Sequence, residues 1–361
     1  MKIVTTFGAI CLVTGCGNPT TSGAAELARS ATRGTEAYIC NFGYDDQPGT
    51  TLTTLDLGSR PLRAAISAGG RAVAGGPVEG GPTLGRSVST GSLPSAVAAT
   101  PNGRLLLVTD QGNDQLAVVD TATDAVISHI LVGVEPDAVA VSPNGKTALV
   151  ANVDDDTVTP IDLTTLRAGH PIPVGSRPDA VAIGGPDGTT ALVADLEGNA
   201  VTPVDLSTGT AGTPIPVGME PEALAISPDG TTALVADFGS DAVTPIDLAT
   251  LHPGAPIPVG TGPTGLAVTA SGPGGVSADP TAWVTTGMDL VPLNLTVLRV
   301  GVPVTVGHLA EAVAVTNDGA TAWVAGQDAT VTPVDLTTGT TGTSVYVGGR
   351  PEAILIPPPR R

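Results

Sequence analysis

Seven positions, Ser95, Asp137, Asp179, Glu222, Thr264, Glu311 and Glu352, recur at near-constant spacing along the 361-residue chain, and five of them carry a carboxylate. Hard oxygens gathered from distant parts of a chain can share a cation such as Ca²⁺ or receive a basic group. Carboxylates crowded in this way also raise one another's pKa, so an unoccupied cluster resists full ionisation. A second polar set, Asn41, Asp110, Asn152, Asp195 and Asp237, lies further along each unit, with Asp154, Asp155 and Asp156 close by. The blander use of such short acids and amides is to cap turns and bond their own backbone. Both readings stand at the level of sequence.

Other chemistries find little support. His129, His170 and His252 fall in the outer parts of different repeats and cannot converge as zinc ligands. His308 alone lies near the acidic series, and a single imidazole without a partner is a weak general base. No glycine-rich phosphate loop opens a helix, because no stretch has helical periodicity. Trp283 and Trp323 sit in strand-like words and suit packing between repeats. The net charge of −19 disfavours a nucleic-acid partner held through its phosphates.

The elements that must carry these residues are read from a repeat. "ALVANVDDDTVTPIDL" (148–163), "ALVADLEGNAVTPVDL" (191–206) and "ALVADFGSDAVTPIDL" (233–248) are near copies. Gly91, Gly133, Gly175, Gly218, Gly260, Gly307 and Gly348 mark the unit, with steps of 42, 42, 43, 42, 47 and 41 residues. Within the unit that starts at Gly218, "EALAI" is a first strand and "SPDG" a tight turn. "TALVA" and "AVTPIDL" follow as strands two and three, and "PIPV" as a short fourth. Pro256 and Pro258 deprive one side of that last strand of donors, which only a sheet edge tolerates. Pro160, Pro203, Pro245, Pro292 and Pro333 fall in strand three, where pairing on both sides is expected, and predict a bulge or gap in the ladder.

Four antiparallel strands in just over 40 residues predict a β-propeller whose first strands line the channel. The N-terminal unit lacks an inner strand, and the chain ends on an unpartnered one, "PEAILI" (351–356). Completing the first blade with the last strand closes an all-β ring of seven four-stranded blades over residues 36–357, with 58–85 inserted as a loop and 358–361 left as a tail. Rotation about the channel then collects the acidic series at one mouth, with Asn152, Asp195 and Asp237 on the same face. Asp56, Asp120, Asp162, Asp205, Asp247 and Asp335, with Asn294 in the seventh place, end strand three at the opposite face and suit turn caps.

The strand-two words "YICN" (38–41), "LVTD" (107–110), "LVAN" (149–152), "LVAD" (192–195 and 234–237) and "WVTT" (283–286), most of them after a "P-[DN]-G"-like turn, resemble the YVTN family of β-propeller repeats. The resemblance spans nearly all of 36–356. It implies a YncE-like or surface-layer-type extracytoplasmic propeller and very little chemistry. The acidic series departs from the family, where that position varies and is often uncharged.

The N-terminus adds a compartment. Lys2, the apolar run 3–13 and "VTGC" (13–16) resemble a bacterial lipoprotein signal, with 1–15 removed, Cys16 lipidated and 16–35 left as a tether. Cys40 is then the sole remaining thiol, placed at an apolar strand position. The expectation is a monomeric, membrane-anchored binding scaffold outside the cytoplasm. It would engage a protein or a small polar or cationic ligand at the acidic mouth, with Ca²⁺ as the candidate ion. A Ca²⁺-dependent lactonase-type hydrolase and a purely structural envelope protein are the alternatives.

Overall fold

The computed structural model describes residues 36–42, 51–56, 83–185, 188–270, 279–347 and 350–358. The signal segment 1–15, Cys16, the tether 16–35 and most of the insertion 58–85 lie outside the described residues. The rest forms seven antiparallel sheets arranged as blades.

Blade 5 shows why the repeat folds as it does. Its strands are Pro221–Ile226, Thr232–Asp237 and Ala242–Asp247, followed by two edge pieces, His252–Pro253 and Ile257–Pro258. The turn after strand one is held by Gly230 N–H donating to Ser227 O at 2.8 Å, with Gly230 at φ 71°, a left-handed conformation that glycine adopts without cost. Strand one alternates alanine with larger aliphatics, as in Ala223, Leu224 and Ala225, all buried. Small residues there let neighbouring sheets approach where the propeller narrows toward its axis.

The edge confirms one expectation and refines another. Strand four is the outer rim, but in blades 3 to 7 it is two separate pieces, of which only the second was legible as "PIPV". The interruption lies opposite the proline. Pro245 O accepts the Gly254 N–H at 2.7 Å from the outer side, and a residue's N–H and C=O point the same way across a strand. The donor that Pro245 lacks therefore faces the interruption, and no ladder bond is lost. A Cβ on Gly254 would lie 3.0 Å from Pro245 Cγ, a tight contact that glycine avoids. Blades 1 and 2 have no proline in strand three, and their outer strands, Thr83–Ser89 and Ala125–Leu131, run unbroken. Because that first outer strand begins at Thr83, residues 83–85 belong to the sheet, and the inserted loop ends sooner than the sequence suggested.

The ring closes through blade 1. Its order runs 83–89, 51–56, 36–42 and then Arg350–Leu355 from the far end of the chain. Tyr38, Ile39 and Cys40 pair with Leu355, Ile354 and Ala353. Ala353 and Ile354 are fully buried, in a cluster that joins blade 1 to Val97 of blade 2 and Trp323 of blade 7. Cys40 is buried and unbridged, and burial raises its thiol far above the ordinary range, so it stays protonated. If this strand closes the ring, Ile354→Ala should lower stability by about 2–5 kcal/mol in urea unfolding. A loss under about 0.5 kcal/mol, the size of an ordinary surface change, would contradict the closure.

Candidate functional site: the acidic channel mouth

Strand one of five blades opens on a proline, Pro94, Pro136, Pro178, Pro221 or Pro263, that of blade 1 carries Pro351 as its second residue, and that of blade 7 opens on Ala310. In every blade this first residue or the proline pairs with the end of strand two, and the register then slips. Pro136 faces Asn152, yet Ala138 faces Ala151. Pro178 faces Asp195, yet Ala180 faces Ala194. The same slip passes over Glu222, Thr264, Glu311 and Glu352, and the one in blade 2 spans Ser95. A bulge leaves its extra residue outside the ladder and re-aims its side chain. Seven bulges thus turn seven side chains out of their sheets at the same level.

Around the ring the order is Glu352, Ser95, Asp137, Asp179, Glu222, Thr264, Glu311, so the acids fall into a trio and a pair separated by two hydroxyls. Ser95 Oγ donates to Asp137 O at 3.0 Å, and Thr264 Oγ1 to Ala310 O at 3.0 Å, each crossing to the next blade. The pair holds a cation. Arg350 Nη2 lies 2.6 Å from Glu311 Oε1, and its Nε 3.3 Å from Glu352 Oε1. The trio holds none by hydrogen bond. Gln111 Nε2 donates to Asp137 Oδ1 at 2.6 Å, and Asp137 and Asp179 are close enough to share a proton. Apart from that proton, no donor among the described residues serves Asp137 Oδ2, Asp179 Oδ2 or Glu222 Oε2, although all three residues are buried.

Burial governs the ionisation of this ring, because a charge removed from water is costly unless it is paired. It pushes Asp137 up to about 6, against the hydrogen bonds from Ser95, Asp179 and Gln111. Asp179 is pushed well above the carboxylate range by burial and then by the charges of Asp137 and Glu222. Glu222 reaches about 9 through burial, with Glu311, Glu220 and Asp137 adding repulsion. Even beside Arg350, Glu352 is raised to about 8, and Glu311 is also raised. At neutral pH these values favour protons on Glu222 and Glu352.

The strand-two residues behave differently. Asp195 accepts Thr202 Oγ1 at 2.6 Å and the Gly175 N–H at 3.1 Å, and Asp237 accepts Thr244 Oγ1 at 2.5 Å. Asn152 accepts the Gly133 N–H at 3.0 Å and donates to Thr159 Oγ1 at 2.9 Å. Each ties the end of strand two to its own blade and lies directly beneath the glycine that marks the repeat. A Cβ on Gly218 would fall 2.6 Å from Asp237 Cβ. The structure therefore gathers Asp137, Asp179, Glu222, Glu311 and Glu352 around the channel and leaves Asn152, Asp195 and Asp237 as separate latches.

His308 is a variant of that latch. In blade 7 strand two ends on Gly326, and the imidazole fills the space that the missing side chain leaves, its Nε2 2.8 Å from Thr332 Oγ1. The acids that end strand three cap the following turn. Asp162 Oδ1, for example, accepts the Thr164 N–H at 2.8 Å, and Thr164 holds this carboxylate down at about 2. Among the described residues no three of His, Cys, Asp or Glu come together closely enough to hold a metal ion.

Sequence reading missed Arg350, Gln111 and Arg177. Arg350 and Arg177 both occupy the position just before the proline of strand one, so aligning the repeats one residue earlier shows them. The charge of Arg177 lowers Asp137 and Asp179, while its Nε stands 3.9 Å from Glu197. Sequence reading also missed a second turn device. Asp114, Asp156, Asn199 and Asp241, all left-handed, each accept the N–H of the residue 21 positions on: Glu135, Arg177, Glu220 and Gly262.

The raised carboxylates make stability depend on pH with a defined sign. A group that binds its proton more tightly when folded favours the native state below its unfolded pKa, and that advantage is lost as pH rises through the folded value. For Glu222 and Glu352 the window runs from the ordinary 4.5 up to about 9 and about 8. The melting temperature should fall between pH 5 and pH 9, and Glu222→Gln should flatten that decline. A melting temperature that rises across this window would mean that the ring is ionised and stabilised in some other way.

A family model described as "YNCE-like beta-propeller" matches residues 83–273, just over half of the chain. No curated protein matches it. Among solved structures, Kuenenia stuttgartiensis hydrazine synthase is similar at 21% identity and a TM-score of 0.63, over 72% of this chain and 88% of that one. A functionally unknown protein from Desulfotomaculum acetoxidans is similar at 14% identity and a TM-score of 0.66, over 76% and 92%. At such identities the likeness concerns the fold alone. That match over residues 83–273, together with the seven-bladed ring, places this chain in the YNCE-like β-propeller family.

Proposed function

We propose that the protein is a binding scaffold, displayed outside the cytoplasm on a lipid attached to Cys16, whose acidic mouth receives a cationic group. The carrying observation is the asymmetry of the ring. One arc, Glu311 with Glu352, already clasps a guanidinium, while the arc of Asp137, Asp179 and Glu222 presents buried carboxyl oxygens that no cation bonds. A buried acid without a partner is unfavourable, and an entering cation relieves that cost by replacing the proton it holds. The net charge of −19 favours encounter with a positively charged ligand.

An organic cation suits the mouth better than bare Ca²⁺, since no three acidic or histidine side chains among the described residues stand at metal-binding separation. Hydrolysis has less support, because His308, the one histidine near the mouth among the described residues, is engaged with Thr332. The anchor rests on the "VTGC" stretch and its apolar leader.

Thermal melting with and without millimolar agmatine, a small guanidinium amine, tests the site. A ligand of the native state at 100 times its Kd stabilises by about 2.7 kcal/mol. Agmatine should raise the melting temperature at pH 8, release protons on binding, and lose its effect in Asp179→Asn/Glu222→Gln. If no organic cation shifts the transition, the mouth is not a cation site. The anchor has its own check: Cys16→Ala should move the protein from the membrane to the soluble fraction, and unchanged partitioning would refute lipidation there.

A further inference from the structure

The loops that surround the acidic ring are not uniformly polar. Val134 precedes strand one of blade 3, Met219 that of blade 5 and Leu309 that of blade 7, and Met288 lies in the turn between strands two and three of blade 6. All four are on the mouth face, exposed by 41%, 56%, 52% and 50% of their surface. Isolated exposed aliphatics are ordinary, but Val134, Met219 and Leu309 occupy the loop before strand one in blades 3, 5 and 7, and Met288 lies beside them on the same face of the charged well. Two of them are methionines, whose flexible side chains adapt to a partner's shape. A small free cation would make no use of such a rim.

Arg350 shows how a guanidinium enters this ring. It stands at the first residue of the closing strand, at the mouth, and bonds Glu311 and Glu352. On the other side, Asp137 and Asp179 are each 1% exposed with an oxygen that no donor other than their shared proton serves. We propose that the mouth is a docking face for a protein segment that inserts one arginine onto Asp137, Asp179 and Glu222 and lays apolar neighbours against Val134, Met219 and Leu309. This rests on the reading of the mouth as a cation site and adds what carries the cation. The inserted side chain would mirror Arg350, its planar fork matching two carboxyl groups as a point-like ammonium cannot. Arginine is also among the residue types that carry most of the energy at protein interfaces.

The test titrates the full-length protein at pH 8 and low salt with three probes: the peptide acetyl-Leu-Arg-Leu-amide, its citrulline counterpart, which is neutral and nearly the same shape, and agmatine. The arginine peptide should bind one to one and at least about tenfold more tightly than agmatine, a difference of about 1.4 kcal/mol. The citrulline peptide should not bind. Asp179→Asn/Glu222→Gln should weaken both cationic probes by about tenfold or more, whereas Met219→Ser/Leu309→Ser should remove the peptide's advantage and leave agmatine unchanged. Because the citrulline comparison uses the unaltered protein, it stands even if a variant fails to fold. Equal affinity for agmatine and the peptide would overturn the docking face while leaving the cation site intact. Failure of all three probes would overturn both.

Discussion

The antiparallel pairing of residues 350–355 with 36–42 is the constraint on which the rest of the molecule depends. Without it, blade 1 would expose an unpaired strand edge and blade 7 the face around Trp323 that now shares a core cluster with Ile354. The same strand carries Arg350 and Glu352. Closing the ring and setting the charge balance at the mouth are therefore one event, brought about by six residues at the end of the described chain.

A second constraint follows from rotation about the channel. Whatever a repeat places at the bulge of strand one is presented to the channel from every blade. Five carboxyls brought together out of water are held by proton retention and by a single arginine, and Ser95 and Thr264 interrupt the series with hydroxyls that bond the neighbouring blade. The result is an arc that Arg350 clasps and an arc whose carboxyls no cation bonds. Acids at the strand-three turns show the reverse behaviour. Asp162 is exposed, receives hydrogen bonds from Thr164 and is held at about 2. The same residue type is shifted in opposite directions at the two faces because one face desolvates it and the other supplies donors.

Several local features carry one explanation across blades. Proline in strand three coincides with a split outer edge in blades 3 to 7, and its absence with a continuous one in blades 1 and 2. Gly91, Gly133, Gly175, Gly218 and Gly260 each leave room for the side chain ending strand two, as Gly218 does for Asp237. Where that side chain is missing, at Gly326, His308 comes in from the loop and bonds the strand-three hydroxyl of Thr332.

The near-constant repeat length, the proline placement and the orphan strand at 351–356 were enough to determine the seven blades, the outer rim and the closure, because each is a rule about local pairing and chain length. The acidic series was legible too, since rotation makes equal positions in the repeat neighbours in space. What only the tertiary structure decided is how those acids are used. Register slips after Pro136, Pro178 and Pro221 aim Asp137, Asp179 and Glu222 at the channel, while Asp195 and Asp237, equally acidic in sequence, are turned back onto Gly175 and Thr244. Arg350 neutralises one arc because ring closure brings it beside Glu311 from 39 residues away. Burial, bulge direction and contacts between distant residues depend on how sheets meet, and a linear pattern does not encode that meeting.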